Sequence, residues 1–255
     1  MPRTTRAAEP ASVRVGCAGW SLPRAQWPRF AAGGSHLERY ARAFDVVEID
    51  SAFHRPHRPE TYARWAASTP AGFRFEVKLP KTITHEHMLV DAMPLFEVFL
   101  TQVAGLGDKL GCLVVQLAPS LAFDAAVARR FLSALRRRYA GAVALEPRHA
   151  SWFEPGPDAL LACFEVARVL ADPVLHPLAA TPGGWPRLVY LRLHGSPRRY
   201  WSAYEPALLA QLAERLRIAQ RDGAACWCIF DNTAAGQAVG NAFTLDEYLK
   251  QGPDP

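Results

Sequence analysis

What most constrains this chain is an alternation. Apolar runs of strand length recur along it, and most are separated by stretches with apolar residues at three- and four-residue spacing. The pattern predicts strands at Val13–Cys17, Val46–Asp50, Phe73–Lys78, Cys112–Leu117, Ala142–Glu146, Ala167–Asp172, Leu188–His194 and Ala225–Phe230. Helices are expected over about His36–Phe44, Pro59–Ala67, Met93–Ala104, Asp124–Tyr139, Asp158–Glu165, Pro206–Asp222 and Thr233–Lys250. Ser35 and Asp124 suit helix openings, and Gly141 and Gly223 suit helix ends. Only Pro173–Pro186, rich in proline and glycine, lacks a helical pattern and reads as a long loop.

Strands alternating with crossover helices predict one α/β domain, a single (β/α)8 TIM barrel over residues 13–250 with a poorly helical crossover at about 173–186. Residues 1–12 and 251–255 read as tails. A doubly wound open sheet is the alternative, but Gly16–Cys17–Ala18–Gly19 after the first strand lacks the GxGxxG spacing.

Composition narrows the setting. No apolar run reaches roughly 18 residues, so no membrane span is expected. The Arg-, Ala-, Thr- and Pro-rich first dozen residues lack the apolar core of a secretory signal. The 5 cysteines form an odd set without a CxxC pair, which predicts a reducing compartment and a cytoplasmic location. The net charge of +5 comes largely from arginines in expected helices, such as Arg129, Arg130 and Arg136–Arg138. A solvated helix face is the simpler reading of them, and a nucleic-acid surface is the alternative.

The barrel demands that strand residues facing the helices be apolar, so polar strand residues should point inward. By that parity Asp50, Lys78, Gln116, Glu146, Asp172, His194 and Asn232 are inward residues at the C-terminal ends of strands two to eight. Barrel active sites lie at that end. Glu48 and Arg192 are inward one step lower, and Arg14, Arg74, Glu76 and Arg168 are expected to pair toward the barrel bottom.

Several ordered blocks resemble the YecE-like family, a barrel family without an assigned biochemical role. They include Gly16–Cys17–Ala18–Gly19–Trp20, Val47–Glu48–Ile49–Asp50–Ser51–Ala52–Phe53–His54–Arg55 and Phe73–Arg74–Phe75–Glu76–Val77–Lys78. Gln116–Leu117–Ala118–Pro119–Ser120, Glu146–Pro147–Arg148–His149–Ala150–Ser151–Trp152, Leu191–Arg192–Leu193–His194–Gly195 and Phe230–Asp231–Asn232–Thr233 continue the series. The resemblance implies a (β/α)8 barrel and delivers no reaction. The chain departs from the family pattern at Asp50, where an asparagine is usual, at His54, where a tyrosine is usual, and at Ala118, where a Pro-Pro pair is usual.

Three functions compete for the strand-end residues. The first is an enzyme acting on an anionic or phosphorylated small molecule by general acid/base chemistry. Its catalytic candidates are Glu146, His149, Asp172 and His194, since carboxylate and imidazole pairs move protons near neutral pH. Lys78, Gln116, Arg148, Arg192, Asn232, Thr233, Trp152 and Tyr200 are the candidate binding groups, with arginine forks for oxyanions and a helix opening at Thr233 for phosphate. The second is a metal-dependent phosphoesterase or endonuclease-like hydrolase, with Glu48, Asp50, Glu146, Asp172 and His194 holding a divalent metal. The third is a non-catalytic nucleotide or nucleic-acid binding module that stacks bases on mouth aromatics. The first is preferred, with no cofactor required.

Overall fold

The computed structural model describes residues 11–251. Strands β1 (Val13–Ala18), β2 (Val46–Ile49), β3 (Arg74–Lys78), β4 (Leu110–Gln116) and β5 (Ala142–Glu146) run parallel and in order. On the other side of β1 lie β10 (Ala225–Phe230) and then β9 (Leu188–Leu193), again parallel. The ring is joined by one stretch. Its first half, β6 (Ala167–Arg168), pairs with β5, and its second half, β7 (Leu170–Asp172), pairs with β9. Between the halves, the Val169 N–H still donates to the Leu145 carbonyl at 2.9 Å. The expected sixth strand is therefore present but split, and the fold is the predicted TIM-like barrel.

Among the described residues, seven α-helices surround the ring: α1 (His36–Ala41), α2 (Pro59–Ala67), α3 (Met93–Val103), α4 (Ala125–Arg138), α5 (Pro155–Cys163), α6 (Pro206–Arg221) and α7 (Gln237–Gln251). Local chemistry sets several of their ends. Ser35 and Glu38 form a capping box on α1, and the Asp124 carboxylate accepts from the Ala126 and Val127 N–H groups at the start of α4. Pro155 lets α5 start three residues before the expected Asp158. Gly223 has a φ of +87° just beyond α6. Gly141 plays no such part, because α4 stops at Arg138 with Tyr139 extended. The 173–186 crossover contains a single 3-10 turn, Pro177–Ala179, and the two-residue strand β8 (Gly183–Gly184), which pairs antiparallel with β6.

Two apolar clusters show which way each strand residue points. The larger joins helix faces to the outer strand residues, and the smaller lies inside the ring, with Val46, Val114, Ala144, Val169, Tyr190, Trp227 and Ile229 among its members. Trp227 fills the lower interior, where a Cβ on Gly111 would lie 2.2 Å from its ring.

This assignment corrects the parity of two strands. In the sixth, Ala167 and Val169 face inward, and Leu170 packs outward with Leu191 and Leu193. Arg168 and Asp172 therefore leave the interior. In the eighth, Trp227 and Ile229 face inward and Cys226, Cys228 and Phe230 outward, so Asp231 continues the inward face in place of Asn232. The expected ionic floor gives way to separate contacts. Arg14 pairs with Asp45, Arg168 forks onto Asp158 of α5 at 2.7 and 3.1 Å, and Glu76 accepts from the Tyr190 hydroxyl at 2.6 Å.

The arginine-rich helices also make intramolecular contacts. Arg136 donates to the carbonyls of Phe164, Gly141 and Glu165, Arg138 pairs with Glu97, and Arg217 and Arg221 pair with Glu214. Among the described residues no helix is long and apolar enough to cross a membrane.

Candidate active site

At the C-terminal mouth, side chains from several strand ends form one connected network around Arg192, which is fully buried. Its Nε and Nη2 fork onto Glu48 at 2.8 and 2.5 Å. Its Nη1 donates to Glu146 at 3.1 Å, and Nη2 also lies 3.2 Å from Asp231 and 3.4 Å from Asp50. Parallel strands bring these groups together because each supplies its inward residue at nearly the same height.

Three further side chains fix Glu146. Gln116 donates to its Oε2 at 3.0 Å, Arg148 pairs with its Oε1, and His194 Nε2 lies 3.2 Å from that same oxygen. His194 is itself fully buried, with Nδ1 2.9 Å from Asp231 Oδ2. A carboxylate only accepts, so this contact places the Nδ1 proton toward Asp231. In the neutral ring Nε2 accepts from Arg148 Nη2, 3.1 Å away; in the imidazolium it donates to Glu146.

Electrostatics separates the carboxylates into two kinds. Burial alone would raise Glu146, yet Arg192, Arg148 and His194 hold it well below the usual carboxylate range. Asp231 is lowered in the same way against burial, by Arg192 and His194. Glu76, one step deeper, is pushed well above the range by burial and by Glu48. Glu48 is raised as well, because burial outweighs the Arg192 fork.

The rim is more cationic on the β3 side. Lys78 Nζ sits 2.9 Å from Asp50 Oδ1 and 4.1 Å from the Phe53 ring centroid. Burial, then the charges of Lys78, Arg148 and Lys81, push the His85 imidazole below its ordinary pKa. Over the other side stands the half-exposed Tyr200, its ring edge-on to His194 at 5.7 Å. Its φ of +68° is a strained value for a residue with a side chain, held by N–H donation to His194 O and acceptance from Ala234 N–H.

Several expected site residues lie elsewhere. His149 caps the 3-10 turn Ala150–Phe153, with Nδ1 accepting from the Ser151 N–H at 3.3 Å. Asp172 accepts from the Tyr204 hydroxyl at 2.8 Å, on the outer side of the sheet. Asn232 is buried outside the ring, donating to Ser202 O and Asn241 Oδ1, each at 2.9 Å. Trp152 is buried, not at the rim, and its indole donates to the Leu121 carbonyl. Thr233 is exposed and does not open α7, which begins at Gln237.

Asp231 is the residue that sequence reasoning missed. Counting alternate residues on from Trp227 and Ile229 reaches Asp231. The apolar flanking residues Cys226, Cys228 and Phe230 concealed which face was inward.

The expected metal ligands do not converge. Asp172 is on the other side of the sheet, and the Arg192 guanidinium stands between Glu48, Glu146 and Asp50. Among the described residues no group of three or more His, Cys, Asp or Glu side chains could hold a metal ion. The donor set does not fit a divalent cation.

Comparison with known proteins places this architecture. A DUF72 family protein from Enterococcus faecalis superposes with a TM-score of 0.78 at 22% identity, covering 95% of this chain and 97% of that one. Another from Thermotoga maritima gives 0.77 at 24% identity, covering 93% and 99%. The UPF0759 protein YecE of Escherichia coli K12 is 35% identical over 105 residues, covering 41% of this chain and 37% of that protein. The UPF0759 protein YunF of Bacillus subtilis is 27% identical over 154 residues, covering 56% and 53%. The chain thus spans 37% and 53% of the length of these curated relatives in the matched regions. The family model for the protein of unknown function DUF72 matches residues 14–255, so this barrel and its ionic mouth belong to a member of the DUF72 family.

Proposed function

We propose that the chain is an enzyme that performs general acid/base chemistry on a small anionic or phosphorylated substrate at the barrel mouth. The observation that carries this reading is His194 held between Asp231 and Glu146 beside Arg148. An imidazole whose Nδ1 is fixed by a carboxylate presents Nε2 as the proton-transferring atom. Arg192 keeps Glu146 and Asp231 ionised, so His194 can gain a proton without leaving an uncompensated charge. Arg192 itself is sealed beneath its carboxylates, which leaves the rim cations for the substrate. Lys78 and Arg148 have spare N–H donors, since an ammonium carries three and a guanidinium five. The combined action of Lys78, Arg148 and Lys81 on His85 marks a positive region on that side. A cytoplasmic setting accords with the five free cysteines.

Thermal melting against a panel of phosphate monoesters and carboxylates tests the reading. At least one anion should raise the melting temperature, and Lys78→Met or Arg148→Met should abolish the rise. A panel without any stabilising anion, or a rise unchanged in both variants, contradicts it.

A further inference from the structure

Ser51 follows Asp50 in the chain but lies outside the ionic network, at the start of the short turn Ser51–Phe53. The residue is exposed, and its Oγ lies 2.8 Å from His57 Nε2. That imidazole is wedged against α2, edge-on to Tyr62 and Trp65 with centroids 5.7 and 4.8 Å away. Trp65 is braced in turn by Trp20, edge-on at 4.9 Å. Burial and the charge of Arg55 hold His57 below the ordinary imidazole pKa, so the ring is unprotonated near neutral pH. A hydroxyl in hydrogen-bond reach of a fixed, neutral imidazole has what serine needs to become a nucleophile.

We propose that Ser51 and His57 form a nucleophilic dyad that hydrolyses small carboxylic esters bearing a negative charge. The charge preference comes from Arg55, an exposed residue without an ion-pair partner among the described residues. Its N–H donates to the Ser51 carbonyl at 3.2 Å, which ties it to the same turn. In the first step Ser51 Oγ bonds to the ester carbon and the carbon–alkoxide bond breaks. The hydroxyl proton passes to His57 Nε2 and then to the departing alkoxide. Water then adds to the acyl-serine, giving its proton to His57 as the Oγ–carbon bond breaks, and His57 returns the proton to Ser51. Trp65 supplies an apolar face beside His57. The inference goes beyond the acid/base reading and does not depend on it, since neither His194 nor Glu146 takes part.

Treating the full chain with a fluorophosphonate probe tests the nucleophile. Oγ attack at phosphorus expels fluoride and leaves a stable adduct that intact mass and peptide mapping locate. One adduct is expected, on Ser51; Ser51→Ala abolishes it and His57→Gln slows it by about tenfold or more. In the unmodified chain the labelling rate should fall as His57 gains a proton, below about pH 6.5. The 4-nitrophenyl monoester of adipic acid should turn over faster than 4-nitrophenyl acetate, and Arg55→Ala should remove the preference. No adduct, an adduct that survives Ser51→Ala, or equal labelling in His57→Gln overturns the dyad. Equal turnover of the charged and neutral esters overturns the substrate class. Labelling is independent of anion-induced melting shifts, so either idea can fail alone.

Discussion

Glu146 shows how strongly one side chain here depends on its neighbours. It is fully buried and charged, which is tolerable only because Arg192, Arg148, Gln116 and His194 surround it. Glu146→Gln removes the negative charge and weakens Arg192's compensation while Glu48 and Asp231 remain. A loss of about 2–4 kcal/mol at neutral pH is expected in urea denaturation. The pH dependence has a definite sign. A depressed folded pKa contributes stability that is present above the unfolded value, about 4.3 for glutamate, and is lost as pH falls through the folded value. The gap between Glu146→Gln and the unmodified chain should therefore narrow only below about pH 4. A gap of constant size down to pH 3 would mean that Glu146 is not held ionised by this network. Its place in the site was readable from sequence, because Val143 and Leu145 leave no doubt about which face of the fifth strand is polar.

The split sixth strand is the element most exposed to perturbation. Its two halves pair with different neighbours, and no α-helix in the following crossover covers them. The Arg168–Asp158 fork ties its first half to α5, and Gly183 of β8 sits so close that a Cβ there would lie 2.5 Å from both partners. Asp158→Ala leaves Arg168 buried without its carboxylate. About 2 kcal/mol of destabilisation is expected, below the figure for a sealed pair because Asp158 is 30% exposed. Gly183→Ala should loosen the same contact and speed amide exchange in residues 167–172, measured by hydrogen exchange. Unchanged exchange in both variants would mean that the fork does not hold this strand. This strand also marks where sequence parity stops being informative. Ala167, Val169, Leu170 and Ala171 suit either face, so parity alone turns Arg168 and Asp172 inward, whereas Asp158 and Tyr204 draw them outward. The eighth strand failed for a related reason: cysteines and Phe230 on one face are as apolar as Trp227 and Ile229 on the other. Strands two, three, five and seven mix charge with branched or aromatic residues, and there the alternation identified the inward face correctly.

At the scale of the whole molecule, alternation alone carried the fold, because eight strand-length runs around one sheet leave little choice but closure. The mouth is then a consequence of parallel strands delivering their inward ends to one place. What the sequence did not reveal is how those ends divide their work. Arg192 reads as an anion clamp until the structure buries it beneath three carboxylates, and the rim passes to Lys78, Arg148 and the region around His85. His194 is proposed as the proton-transferring group at this mouth. Nitrogen-15 NMR of the histidine ring tests it most directly, during titration with a phosphate monoester that raises the melting temperature. Nδ1 should carry a proton directed at Asp231, the Nε2 resonance should move as the ligand saturates the mouth, and Asp231→Asn should abolish the tautomer preference. A His194 ring that stays unchanged while the ligand binds, or one without a tautomer preference in the unmodified chain, would contradict it.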